Sequence, residues 1–553
     1  MPKAVELLQQ GRDEELWQMC CGYLNLSLEQ FISIQKRLLL EQMELMNHCA
    51  LGDRLMRGAK PTTVEEFREQ VPLTNYADYC PELAEQREDV LPVKPALWVR
   101  TSGKSGEYQC KWVPMTPTYS QELSVIMYGL GMLAGCKEWG DTSSIPECPK
   151  LIYTVAPRPY TSGAMADILQ EQTDLDYLPS LKEAESLDFE ERIKLGFKQA
   201  LSQGVDYFFG LSLVLVAVGN SFSQSSGRID IRPFLSQPRV MFRLIKGLAK
   251  SKLTGRSMLP RDLWSVKGII SSGLDSAVYK DRIKELWGRC PLDVYAGTEG
   301  GIIATQTWDY DSMTFTPNLN FLELIPEKEH FKWQLDHDYQ PKTVLLDEAK
   351  PGENYEVVIT NFHGGALLRY RVGDMIKITS LRNERLGINI PQMAFVGRAD
   401  DLIDFGVTRL TEKVIWQAVE NTGVPYEDWV AHKEIKENMV LRLFVELKDG
   451  HPVSEADLGS AVEYQIKHLD SSFAATHDGV GDYLNFRVAV TLLPTGAFST
   501  YTAHRRAEGA ELAHLKPPHV NPSDKVLSLL LSTKPEIVPT VEVEVEREKV
   551  VTH

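Results

Sequence analysis

Four short segments carry residue types suited to handling a nucleotide. The first, TSGKSG at 101–106, offers hydroxyls from Thr101, Ser102 and Ser105, while Gly103 and Gly106 let backbone N–H groups turn inward toward polyphosphate oxygens. Lys104 and Lys111 add positive charge. The second, Tyr295 to Glu299 (YAGTE), places Thr298 within reach of a phosphate and Glu299 where it can hold Mg²⁺, a hard ion that takes carboxylate and phosphate oxygens together. In the third, YRVGD at 370–374, Asp374 follows a turn at Gly373 and can accept both ribose hydroxyls or simply cap the turn. The fourth is GRADD at 397–401. Taken singly, each reads equally well as an ordinary turn or a solvated loop acid. In this order they describe a site assembled from distant parts of a large fold, and the chemistry implied is activation of a carboxylate by ATP with Mg²⁺.

The elements that must position these residues follow from periodicity. Residues 4–55 show helical spacing of Leu16, Leu24, Phe31, Leu38, Leu39 and Met43, and Thr62 or Thr63 precedes a further helix with Glu65 and Glu66 in its first turn. From Leu97 to Ile378, β-branched runs (151–155, 267–270, 355–360) alternate with helical stretches such as 276–288, which predicts an α/β domain. Leu292 to Val294 reads as a strand end, the usual place for ligands in α/β sheets, with Tyr295 just beyond it. Ser272 and Gly273, at a strand-to-helix turn before Ser276, either edge an adenine or begin a plain helix. After Arg398 a strand at 441–447, a helix at 454–469 and a strand at 485–493 predict a smaller α+β unit. The division expected is 1–398, 399–532 and a frayed tail at 533–553.

Composition excludes several classes. A chain of 553 residues exceeds one core, and 43% hydrophobic content can build two. A net charge of -17 argues against nucleic acid and non-specific adhesion to anionic membranes. The most apolar run, 205–219, carries Asp206 and is too short for a bilayer, so it predicts a buried core segment and no membrane insertion. Eight cysteines without CxxC pairs read as reduced thiols in a cytoplasmic protein. GxxxxGK[ST] is absent, which disfavours a P-loop NTPase, and the lack of HExxH and GxSxG disfavours hydrolase chemistry.

The ordered set resembles the acyl-adenylate-forming superfamily, and more specifically the auxin-responsive acyl acid-amido synthetases of plants and their bacterial relatives. VEEF at 64–67, VPLT at 71–74, GLS at 210–212, YEVV at 355–358, Gly496 and LKPP at 515–518 carry that likeness beside the four segments. The resemblance implies a large N-terminal adenylate-forming domain of mixed sheets and helices with a smaller C-terminal domain. It puts Thr101, Ser102, Gly103, Ser105 and Lys111 at the phosphates, the element containing Tyr295, Gly297, Thr298 and Glu299 at the α-phosphate and Mg²⁺, Asp374 at the ribose and Arg398 near ribose or phosphate. Asp400 would be the interdomain hinge. Lys516 would be the catalytic lysine by position, since the superfamily's Pro-x-x-x-x-Gly-Lys ending is absent. Lys104, where the family has a small hydroxyl residue, and Glu107 to Cys110 depart from the family loop. The implied partners are a carboxylic acid and an amino acid, with coenzyme A as the alternative acceptor and a non-catalytic nucleotide- or acyl-binding protein as a further alternative.

Overall fold

The computed structural model describes residues 2–101, 110–153, 156–187, 189–225, 237–272, 276–399, 402–405, 408–435, 439–448, 453–471, 473–477, 486–507 and 517–532. Ser102, Gly103, Ser105, Gly273, Asp400, Lys516 and the tail at 533–553 therefore lie outside the described residues.

Chain contacts divide the protein into two units. The first comprises Met1–Thr411 with Ile435–Met439 and Ser471–Phe486, and the second comprises Glu412–Glu434, Val440–Asp470 and Arg487–His553. The first unit extends past Arg398 to include the hairpin of β14 (Leu402–Asp404) and β15 (Arg409–Thr411).

The first unit opens with helices Ala4–Gln9, Asp13–Cys21, Leu28–Met46 and Ala50–Leu55. Ser27 starts the long one, its side chain accepting the Gln30 N–H while Gln30 reaches back to the Ser27 N–H. Thr63, not Thr62, caps Val64–Gln70, and Thr62 instead hydrogen-bonds the Glu66 carboxylate. Phe31, Leu39 and Phe67 from these helices enter one core with Leu123, Phe321 and Val357.

A short ribbon of β1 (Leu97–Arg100) and β2 (Trp112–Met115) brackets the glycine- and serine-containing loop. The main sheet uses β3 (Lys150–Tyr153), β4 (Asp176–Leu178), β5 (Tyr207–Gly210), β6 (Gly268–Ser272), β7 (Leu292–Gly297), β8 (Gly301–Thr305), β9 (Met313–Phe315), β10 (Asn320–Pro326), β11 (Asn354–Asn361), β12 (Tyr370–Ser380) and β13 (Gln392–Arg398). Among the described residues it has 11 strands in the order β10-β11-β12-β13-β9-β8-β7-β6-β5-β3-β4. The strands from β4 to β7 pair in parallel, and those from β7 to β10 pair antiparallel. Strand β7 is thus where the sheet changes from parallel to antiparallel pairing.

The run at 205–219 is largely buried, as expected, and forms strand β5 followed by helix Ser212–Ser225. Two local expectations are corrected. Tyr295 lies inside β7, because that strand continues to Gly297 to pair with β8. Asp374 lies inside β12 at an irregularity opposite Glu356 and Val358, where Gly373 has φ +78°, and this bulge rather than a terminal turn aims its carboxylate.

In the second unit, β16 (Tyr426–Ile435), β17 (Met439–Leu447) and β18 (Arg487–Leu493) form a sheet in that order, with β17 and β18 parallel and helix Glu455–Leu469 connecting them. Its core joins Val430, Phe444, Leu493, Phe498 and Leu530. His519 bonds Glu412 at 2.6 Å and Asp428 at 2.9 Å and stacks on Trp429, while its carbonyl accepts the Ala431 N–H. Burial opposes a charged ring there, but the hydrogen bonds to Asp428 and Glu412 outweigh it and hold the pKa at about 9.

Candidate active site

The hairpin between β7 and β8 has only Thr298, Glu299 and Gly300 between the paired Gly297 and Gly301. Gly301 sits at φ +60°, and a Cβ there would lie 2.7 Å from the Tyr119 hydroxyl, so the tight turn needs glycine. Asn361 donates to the Glu299 carbonyl at 2.9 Å and Asn320 to the Gly300 carbonyl at 2.7 Å. These two amides hold the hairpin tip from the neighbouring strands β11 and β10.

Two charged centres meet near this tip. In the first, the Tyr295 hydroxyl donates to Asp374 Oδ2 at 2.8 Å, and Arg398 Nη1 donates to Asp374 Oδ1 at 2.8 Å. Asp374 and Arg398 are register partners on β12 and β13, which fixes their separation through the sheet. Burial, reinforced by the Asp374 charge, pushes the Tyr295 phenol well above its usual pKa, so it remains a donor.

In the second centre, Lys111 Nζ lies 3.3 Å from Glu299 Oε1 and donates to the Tyr370 hydroxyl at 2.9 Å. Both partners are nearly buried, with side chains 11% and 12% exposed. Burial raises the Glu299 carboxyl pKa, but Lys111, with further contributions from its backbone hydrogen bond and from Arg409 and Arg398, lowers it more. The net position is below the usual carboxylate range, so Glu299 is an anion held by cations.

The remaining sequence-predicted residues fall around these centres. Thr298 accepts from the Thr161 hydroxyl at 2.8 Å. Thr101 closes the neck of the loop, its N–H donating to the Lys111 carbonyl and its hydroxyl accepting the Lys111 N–H, each at 3.0 Å. Ser272 ends β6, one strand from Tyr295 in the sheet.

Motif membership did not reveal every role. Arg371, within YRVGD, binds both oxygens of Glu356 at 2.8 and 2.7 Å and lies over the Trp333 ring, so it is a structural clamp. Tyr370, Thr161, Asn361 and Arg409 were not singled out from sequence. Arg409 is presented by the β14–β15 hairpin beside Asp404 at 2.7 Å, and its charge reaches Glu299. Only the register of that hairpin, which pairs Asp404 with Arg409, marks it.

Glu299 from the β7–β8 hairpin and Asp374 from β12 thus lie near the strand at which the sheet changes sense. Among solved structures, 2-hydroxyisobutyryl-CoA ligase in complex with 2-HIB-AMP and CoA has the same fold at TM-score 0.52 and 15% identity, over 84% of this chain and 86% of that one. The GH3.15 acyl acid amido synthetase matches at TM-score 0.50 and 16% identity, over 90% and 94% of the two chains. Residues 22–144 match the GH3 family N-terminal domain and residues 313–398 the GH3 family central domain. These two segments are similar to GH3 family domains. The chain's curated relatives include jasmonoyl-L-amino acid synthetase JAR4 of Nicotiana attenuata, 29% identical over 48% of this chain and 46% of that protein. They also include the 4-substituted benzoates-glutamate ligase GH3.12 of Arabidopsis thaliana, 27% identical over 40% and 38%. These matches span about half, or less, of the length of the curated relatives.

Proposed function

We propose that this protein activates a small carboxylic acid with ATP, forming an acyl-adenylate and pyrophosphate, and then transfers the acyl group to an amino acid to form an amide. The observation that carries this reading is the convergence of Tyr295, Glu299, Asp374, Arg398 and Lys111 in one folded unit, with Glu299 held as an anion beside Lys111 and Asp374 paired with Arg398. The names of the relatives, amino acid synthetases and a glutamate ligase, support the same acceptor class.

In the first half-reaction, a substrate carboxylate oxygen forms a bond to the α-phosphorus as the bond to pyrophosphate breaks. Asp374 would accept the ribose hydroxyls on its carboxylate, with Tyr295 and Arg398 holding its orientation. Thr298 and the loop residues Thr101, Ser102, Gly103 and Ser105 would surround the phosphates, with Lys111 nearby, and Ser272 and Gly273 would edge the adenine. Among the described residues no group of three His, Cys, Asp or Glu could hold a metal by itself. One carboxylate, Glu299, fits Mg²⁺, which is commonly bound through one or two carboxylates together with substrate phosphates and water. When bound, that ion would neutralise phosphate charge. Lys516 would meet the substrate carboxylate and α-phosphate as they approach, offsetting their repulsion.

In the second half-reaction, the amine nitrogen bonds to the acyl carbonyl carbon, AMP leaves and the amine loses a proton. Asp400 would serve as the pivot that lets the C-terminal region serve both steps. The test is a screen of carboxylic acids for ATP-dependent pyrophosphate release, with amino acids and coenzyme A offered separately. Amide conjugates formed with an amino acid support the proposal. Thioester formed in their place, or nucleotide binding without turnover across the acids, overturns it.

A further inference from the structure

The chain is strongly acidic overall, but residues 237–261 contain no Asp or Glu and six Lys or Arg up to Arg256. Most of them lie on helix Pro238–Thr254, which buries Val240, Leu244 and Gly247 against the protein. Its opposite face is also apolar. Phe242, Ile245 and Leu253 are 71%, 57% and 87% exposed, and their spacing of three and eight residues, with Ala249 between, lines them along one stripe. Arg239, Lys246 and Lys250 follow one side of this stripe and Lys252 the other.

These four cations make no ion pair among the described residues, whereas Arg243 is occupied by the Ala200 and Leu201 carbonyls and Arg256 by Asp262. An apolar stripe edged by unpaired cations is complementary to a surface that offers acyl chains beneath negative headgroups. Three of the four cations are lysine, which protein interfaces disfavour and anionic leaflets attract. We infer that helix Pro238–Thr254 is a peripheral docking face for an anionic lipid surface, with Phe242, Ile245 and Leu253 entering the headgroup boundary and the flanking cations meeting the phosphates. The rest of the chain, carrying the excess negative charge, restricts the contact to this face. No helix among the described residues is long and apolar enough to cross a membrane, so the contact lies at the surface.

The test is co-sedimentation of the full chain with vesicles of phosphatidylcholine alone or phosphatidylcholine with phosphatidylserine, at low and high salt. Wild type should sediment with the anionic vesicles only, and less at high salt. The double variants Phe242→Ser/Leu253→Ser and Lys246→Glu/Lys250→Glu should each bind at least about tenfold more weakly while keeping the wild-type circular dichroism spectrum. Arg256→Gln, which alters a paired cation off the stripe, should bind as wild type does. Absence of wild-type binding, equal binding to neutral vesicles, or unchanged binding by folded double variants overturns the inference. So does a wild-type dimer in sedimentation velocity that these variants convert to monomer, because a second copy would then cover the face.

Discussion

Replacing Lys111 by Met removes the nearest cation from a buried carboxylate. At 3.3 Å and an effective dielectric constant of about 20, the Lys111–Glu299 attraction is about 5 kcal/mol. Desolvation of both groups opposes this, and a net coupling of about 2–3 kcal/mol is expected. Wild type, Lys111→Met, Glu299→Gln and the double variant close the cycle, read by urea unfolding near pH 7. Lys111→Met alone should cost about 3 kcal/mol, because it leaves an anion partly uncompensated, and much of that loss should vanish when Glu299 is also neutral. The pH dependence has a definite sign. Glu299 is held below its unfolded pKa, so its contribution is present above about pH 4.3 and is lost as pH falls through the folded value. In Lys111→Met the largest lowering influence is gone and burial is less opposed. The stability gap between variant and wild type should therefore narrow on acidification. A coupling below about 0.5 kcal/mol, or a gap that does not change with pH, would refute an electrostatic role for Lys111 at this centre.

Asp374→Ala should reduce pyrophosphate release more than about tenfold, equivalent to about 1.4 kcal/mol, whereas Tyr295→Phe, which removes one donor and leaves the carboxylate, should reduce it less; equal losses would sink the assignment of Asp374 to the ribose. His519 is held at about pKa 9 against an unfolded value near 6.5, so its stabilisation of the second unit should be complete below about pH 6.5 and disappear as pH rises through 9. His519→Ala should accordingly cost about 1–2 kcal/mol near pH 6, once its charge interactions are discounted for solvent screening, and little near pH 10, measured by unfolding at each pH. Lys516→Ala should bind ATP nearly as wild type does in calorimetry but turn over more than about tenfold more slowly, and unchanged turnover would move the catalytic cation elsewhere.

Periodicity and capping are local properties, and they made several of the helices and about a third of the described strands readable before any coordinates. The helix Ser276–Trp287, the strands Met439–Leu447 and Arg487–Leu493, and a cap narrowed to Thr62 or Thr63 all depend on neighbours within a few residues. The order of the four nucleotide-site segments was equally visible, because each is a short run of distinctive residue types. Which members of those runs face one another was not. Tyr295 and Asp374 are 79 residues apart and Lys111 and Glu299 are 188 apart, so their meeting depends on strand order and on the bulge at Gly373. The same bulged strand sends Asp374 to Tyr295 and Arg371 to Glu356, a division that residue type cannot encode. Arg409 and Thr161 carry no motif at all and reach the site through a hairpin register and a helix end. Local preference decides which elements form. The side-chain neighbours that set charge, burial and orientation come from packing between segments far apart in the chain, and only the folded sheet specifies them.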